Sequence, residues 1–294
     1  LTNTLELEEL EESQLPGLAS LAEESHKAGE VKREIPILVI LGNPPYSGTS
    51  LNPSEKQVHV KKGQLYVKRY KVIRDGATGE LMFFAEQREA KRDMNIMQKT
   101  WIGRLIEEYK WVGEKHIEEK NPKWLQDDYV KFLRFAEWKI AQAGQGVVGM
   151  ITNHSYLDNP TFRGMRWHLM RTFDEIYILD LHGNSLKKER CPDGSPDQNV
   201  FDIQQGVAIA FFIKHAKGSS EKTRVHHADL WGSREEKYAW LSEHDWKRTL
   251  WQKIHPGPEF YLFIPTEEKE PERYNAFPKV TDIFPVYSVG IVTA

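Results

Sequence analysis

The 294-residue chain has one cysteine, Cys191, so no intramolecular disulfide can brace it, and such sparing use points to a reducing compartment, the cytoplasm. It has no long apolar run. Ile37–Leu41 and Val207–Ile213 fall far short of the roughly 20 residues that a membrane helix needs, so no membrane association is expected. It has no secretory signal, because the acidic N-terminus lacks an apolar stretch. Nor is there a strong charge of either sign: net −3 at pH 7 excludes a uniformly basic coat for nucleic acid, though not a local basic patch. Internal repeats and low-complexity tracts are absent as well. The chain opens on Leu1 and stops at Ala294 without a polar tail, and we read it as a segment of a longer polypeptide.

What is present suits a folded domain. Apolar residues make up 39% of the chain and charged residues 28%, which supports a real core. The length fits two domains or one large α/β unit with insertions. Nine tryptophans and eleven tyrosines supply core volume and also flat surfaces that can stack on bases.

Three regions emerge along the chain. Residues 1–34 form an acidic lead-in, with Glu6, Glu8, Glu9, Glu11 and Glu12 read as a solvated face. Residues 35–232 carry a strand–helix rhythm interrupted by an insertion at about 54–126. Residues 233–294, studded with proline and tryptophan, read as a connector leading toward a target-recognition domain. Within the core, Ile37–Leu41 is short, β-branched and continuously apolar, as expected of a central strand buried on both faces. The spacing of Val130, Leu133, Ala136 and Ile140 predicts a helix over about 127–143, capped by Asp127 or Asp128 and ended by Gly144. Strands are expected at 147–152, 175–181 and 206–213, and a helix at 161–171. The insertion is expected to be mostly helical, since residues 83–120 have helical composition and Trp101, Leu105, Tyr109 and Val112 recur at three- or four-residue spacing. Its start, 56–74, carries Lys56, Lys61, Lys62, Lys68, Arg69, Lys71 and Arg74 with no carboxylate among them.

The chemistry is expected at the end of the first strong strand. Ligands of open α/β sheets bind outside the carboxyl ends of strands. Here the strand delivers Asn43-Pro44-Pro45-Tyr46. Two prolines fix φ and remove two N–H donors, leaving a stiff turn that presents carbonyls. The Asn43 side-chain carbonyl and the Pro44 backbone carbonyl can accept both hydrogens of one planar NH₂ group. Tyr46 adds an aromatic face. That set suits an exocyclic amine on a flat ring, or a carboxamide.

Residues 37–47 resemble the catalytic motif of amino-group methyltransferases that use S-adenosylmethionine, in particular the N6-adenine DNA methyltransferases. Residues 127–153 are similar to that family's helix followed by a strand ending in a Thr/Asn turn. Residues 199–209, Asn-Val-Phe-Asp-Ile-Gln-Gln-Gly-Val-Ala-Ile, resemble the segment that lies over the target base before the last strand pair. The likeness is nearest to the fused restriction–modification enzymes of type ISP and type IIG. It implies a Rossmann-like methyltransferase core, present in part, that acts on a flipped-out adenine of double-stranded DNA. Asn43, Pro44 and Tyr46 would be catalytic, with Tyr46 and Phe201 stacking on the base. Asn43 is also a candidate cofactor contact. Lys61, Lys62, Lys68 and Arg69 are candidates for the DNA backbone. The family's glycine-rich cofactor loop is missing; Ala143-Gly144-Gln145-Gly146 reads as a helix-to-strand turn. The loop is therefore expected upstream of Leu1, and this segment alone is expected to be inactive. Two alternatives stay open: a methyltransferase acting on a protein glutamine, and a non-catalytic DNA-binding segment. No metal site is expected. Cys191, the His226-His227 pair, Asp180 and Asp202 are not assigned roles, and Trp231, Trp240, Trp246 and Trp251 are read as packing.

Overall fold

A computed structural model describes residue 5 and residues 19–45, 50–74, 81–119, 122–216, 222–266, 276–278 and 280–283. Helix α1 (Ala19–Arg33) leads into strand β1 (Val39–Gly42). Helix α3 (Asp128–Ala143) fits its caps: Asp127 is extended, and Gly144 takes the left-handed φ of 74° that lets the chain turn directly into β8 (Gly146–Asn153). Helix α4 (Arg163–Thr172), β9 (Glu175–Asp180), β10 (Val207–Lys214), β11 (Arg224–Asp229), α5 (Arg234–Glu243) and β12 (Gln252–Ile254) complete the domain.

Six of these strands form one mixed sheet in the order β1-β8-β10-β9-β11-β12. β1 pairs parallel with β8 and β9 parallel with β11, whereas β10 lies antiparallel between β8 and β9. Strands β1, β8, β9 and β11 therefore share one direction, and β10 begins at the edge where they end. β12 adds a last antiparallel pairing. The sheet thus runs past residue 232, where a connector was expected to begin.

Side chains alternate between two faces. Ala208, Ala210 and Phe212 of β10 join Ile176, Ile178, Val148 and Met150 in the main core, which α3, α4 and the short helix α2 (Trp101–Glu108) cover with Leu133, Ala136, Ile140, Met165, Leu169 and Ile106. On the other face, Leu179, Leu181, Val200 and Val207 pack with Ile209, Trp240 and Leu241, so α5 covers that side.

Two expectations are corrected. Among the described residues β1 lies at the sheet's edge and is not buried on both faces. Ile40 packs on the core, but Val39 is 60% and Leu41 74% exposed. A continuous apolar run looks the same in sequence whether or not a neighbour covers it. The second correction concerns the insertion, which is mostly β. Strands β2 (Glu55–Val60), β3 (Leu65–Arg74), β4 (Leu81–Glu89) and β5 (Met94–Lys99) pair as β2·β5 and β3·β4. Gly63 N–H to Ala90 O (2.8 Å) and Ala90 N–H to Gln64 O (2.9 Å) join the two ladders into a single two-stranded ribbon. Cross-strand pairing overrides the helix propensity of Glu, Gln, Ala and Met here. Only Trp101–Glu108 of the expected helix is helical, followed by a small hairpin of β6 (Trp111–Val112) and β7 (Lys115–His116).

Candidate active site

The carboxyl ends of β1, β8, β9 and β11 bring Asn43, Asn153-His154, Leu181-His182 and Leu230-Trp231 to one edge. Because β10 runs the other way, the segment before it, Asn199–Gly206, reaches the same edge: Val207 pairs with Asn153, and His154 N–H donates to Gly206 O (2.9 Å).

Asn43 is exposed at the end of β1, while Pro44 is buried beneath it, as a stiff pedestal requires. Tyr46 lies outside the described residues. The chain beyond it is tied to the first turn of α3. Leu51 N–H donates to Asp128 Oδ2 (3.1 Å), Ser50 Oγ donates to Asp128 Oδ1 (2.5 Å), and Lys131 Nζ donates to Ser50 Oγ (2.7 Å). Burial alone would raise the Asp128 pKa, but the donors Ser50, Asn52 and Leu51 lower it, so the carboxylate stays charged. These bonds fix Ser50 and Leu51 against the first turn of α3.

Phe201 is half-buried against the second core cluster and lines a hollow of about 550 Å³ with Gly183, Asn199, Gln204 and Arg234. Its segment is held from several sides. Asn199 Nδ2 donates to Gly183 O (3.1 Å) and Gln205 O (2.6 Å), Asn199 Oδ1 accepts from Phe201 N–H (2.9 Å), and Arg234 donates to Asn199 O and Phe201 O. At Gly206 a Cβ would stand 2.3 Å from the His154 ring, so only glycine lets the segment lie against that ring. Asn43 and the start of β10 are two strands apart, about 10 Å at normal strand spacing.

The structure adds a buried polar network that sequence reasoning missed. His154 Nδ1 stands 3.0 Å from Asp180 Oδ1, and His182 N–H donates to the same oxygen (2.9 Å). His182 Nε2 reaches Asp229 Oδ1 (2.8 Å), which His227 Nε2 also meets (3.1 Å), while His227 Nδ1 donates to Phe263 O (2.9 Å). His182 adopts a left-handed φ of 51° and stacks on Trp231. Together these residues line a hollow of about 240 Å³. Ligand atoms of His154, Asp180 and His182 lie within 4.8 Å of one another, a set able to hold a metal ion. Hydrogen bonds engage both ring nitrogens of His154. Lys187 N–H donates to Asn184 Oδ1 (3.0 Å), which turns Asn184 Nδ2 toward His154 Nε2 (3.1 Å); Nε2 then accepts, and Nδ1 carries the proton toward Asp180. Burial opposes charge on His154, yet Asp180 outweighs it and raises the pKa. Asp229 would be raised by burial, but its bonds from His182 and His227 hold it well below the usual carboxylate range. The strand-end rule that singled out Asn43 applies equally to His154 and to Asp180-Leu181-His182, and it was the available signal.

The basic candidates stand apart, on the ribbon. Lys61, Lys62, Lys68 and Arg69 are all exposed. Pairing of β3 with β4 sets Glu86 opposite Arg69, and the two form an ion pair, so the carboxylate-free stretch of sequence is not carboxylate-free in space.

No protein-family model matches the chain, and neither does any curated protein. Solved structures do. An ATP-dependent type ISP restriction–modification enzyme, LlaBIII, bound to DNA is 25% identical, with a TM-score of 0.60 over 92% of this chain and 16% of that one. A DrdV–DNA complex is 24% identical over 85% of this chain and 20% of that one, with a TM-score of 0.54. A nuclease-deletion mutant of the type ISP enzyme LlaGI with a DNA substrate mimic is 20% identical over 92% and 22%, with a TM-score of 0.59. The chain spans about a fifth or less of the length of these enzymes. It is related in structure to DNA-bound restriction–modification enzymes, and among the described residues no helix is long and apolar enough to cross a membrane.

Proposed function

We propose that the chain is the amine-binding part of a site-specific DNA adenine N6-methyltransferase in a restriction–modification system. The observation that carries this reading is Asn43: an exposed amide on a buried proline at the carboxyl end of β1, at the edge that also presents Phe201. The 25% identity to LlaBIII supports the type of system. In this reading a target adenine leaves the duplex, at a cost of a few kcal/mol. Phe201 and Tyr46 stack on it, at about 1–3 kcal/mol per base. Asn43 Oδ1 and the Pro44 carbonyl accept the two N6 hydrogens. These acceptors fix the nitrogen's direction and favour the positive charge that develops on it.

The described residues do not fit S-adenosylmethionine by themselves. Among them no glycine-rich turn leads from a sheet strand into a helix, and β1 ends the sheet with Val39 and Leu41 uncovered. The chain's own residues therefore serve the amine side of the reaction. The exposed β1 edge is where a further strand of the same sheet would pair.

The test is methyl transfer to DNA by the full-length chain. Asn43→Ala should abolish labelling of adenine while duplex affinity is retained. Turnover equal to the wild type overturns the role of Asn43. Labelling of protein glutamine in place of DNA overturns the substrate.

A further inference from the structure

The ribbon is rooted at Pro53-Ser54, directly after the Ser50–Asn52 segment that Asp128 and Lys131 of α3 hold. Thr100 N–H donates to Ser54 O (3.0 Å), Thr100 Oγ1 donates to Pro53 O (2.9 Å), and Gly103 of α2 sits so close to Ser54 that a Cβ would fall 1.9 Å from its carbonyl. From this clamp β2 (Glu55–Val60) and β3 (Leu65–Arg74) carry the chain outward, joined by a turn at Lys61–Gln64 in which Gln64 N–H donates to Lys61 O (3.0 Å) and Gly63 takes a left-handed φ of 84°. Near the root one face is half-buried, through Val58, Val60, Met94 and Ile96. Farther out Leu65, Lys68, Arg69, Phe84, Ala85, Gln87 and Arg88 are all exposed, so the described residues cover neither face. A lone two-stranded ribbon is at best marginally stable in water, which makes this a surface that wants a partner.

Charge identifies the partner's chemistry. Residues 55–99 hold eleven Lys and Arg against six Asp and Glu, a net +5 within a chain of net −3. The excess is focused. Where the ribbon changes ladders, two corners meet: Lys61 and Lys62 on one strand, Lys91 and Arg92 on the other. The Gly63 N–H to Ala90 O bond and the Lys62 N–H to Asp93 Oδ1 bond (2.8 Å) hold them together. All four side chains are exposed, and among the described residues none forms an ion pair, in contrast to Arg69 and Arg88, which both meet Glu86. Four cations outside any ion pair, beside the single carboxylate of Asp93, suit a row of phosphates. A two-stranded ribbon is also an element that the major groove of B-DNA admits.

We infer that the ribbon is a DNA-binding arm: Lys61, Lys62, Lys91 and Arg92 grip the phosphates of duplex DNA flanking the target base. The arm supplies sequence-independent affinity and registers the duplex against the Asn43 edge. This rests on the proposal that the chain acts on duplex DNA. It goes beyond the sequence in two respects. Lys91 and Arg92 join the grip through the fold alone, and Arg69 leaves it because Glu86 neutralises it.

The experiment measures affinity of the full-length chain for a labelled non-cognate duplex between 50 and 250 mM salt. Replacing all four residues by Ala should weaken binding about tenfold or more at 150 mM salt, and should flatten the slope of log K against log salt by about 3 to 4, near 0.9 per lost phosphate contact. A charge-preserving variant (Lys61→Arg, Lys62→Arg, Lys91→Arg, Arg92→Lys) should keep the wild-type slope. It separates loss of charge from loss of fold. A wild-type slope in the alanine variant overturns the arm and leaves the methyltransferase proposal standing. No duplex affinity in the wild type overturns both.

Discussion

Lys237→Met tests how the segment bearing Phe201 is held in place. Lys237 is completely buried, and its Nζ donates to Leu181 O (2.8 Å), Gln198 O (2.6 Å) and Asp197 Oδ1 (2.7 Å). It thereby bolts α5 to the loop after β9 and to the start of the Asn199–Gly206 segment. Asp197 is as deeply buried: Oδ1 also accepts from Gly232 N–H (3.0 Å), and Oδ2 is without a partner. Methionine keeps most of the stem, so packing changes little. What disappears is the cation, and a buried carboxylate is left uncompensated, which costs about 3–5 kcal/mol. Urea unfolding reads this directly. With a slope near 3 kcal/mol per M, the midpoint should drop by about 1 M or more. Adding Asp197→Asn should recover over half of the loss, because the double variant no longer buries a lone charge. A single-variant cost under about 1 kcal/mol refutes the reasoning. A double variant no more stable than Lys237→Met shows that the orphaned charge was not the cause.

Gly206→Ala should destabilise by about 1–3 kcal/mol in the same assay, since its Cβ cannot coexist with the His154 ring, 2.3 Å away. Asp180→Asn should lower the pKa of His154 in an imidazole NMR titration, because burial and Lys187 are then opposed only by the Glu189 carboxylate. His168, whose Nε2 is sealed without a partner, has its pKa pushed down by burial to about 4. The unfolded chain takes up that proton near pH 6.5 and the folded chain only near 4. The stability present above pH 6.5 should therefore drain away as pH falls through that window, by up to about 3 kcal/mol, and His168→Phe should flatten the profile.

Local signals with one physical solution were legible in the sequence. Helix α3 was readable because its apolar stripe, its preceding Asp127 and its terminal Gly144 all agree. β10 was readable because a continuous apolar run as short as Val207–Ile213, rich in β-branched and aromatic residues, suits a buried strand better than a helix. The ribbon was not, because Glu86, Gln87, Glu89, Met94 and Met97 favour helices individually and become strands only through partners 17 to 40 residues earlier in the chain. The position of Asn43 just past a strand was legible, as was that of Phe201 in the segment before β10; the roles proposed for them rest on the resemblance. His154 and Asp180 were not legible: each looks ordinary alone, and their meaning comes from β8 and β9 flanking β10.

The polarity of β10 ties these findings together. Had it run parallel to its neighbours, the segment before it would have begun at the opposite edge, far from Asn43. As an antiparallel strand between β8 and β9, it returns Phe201 and Gly206 to the edge where β1 and β8 deliver Asn43 and His154. Gly206 then lets the segment lie on His154, and His154 is anchored through Asp180 to the end of β9. A substitution at His154 would thus act on Phe201 through packing and on the β9 loop through a charge-assisted bond. His154→Gln should shift the two differently. It keeps a polar reach toward Asp180 but loses the flat ring beneath Gly206, so fluorescence of a base analogue stacked on Phe201 should change more than the unfolding midpoint does. If both readouts move together, the ring serves only to hold the fold, and the segment owes its position to Asn199 and Arg234 instead.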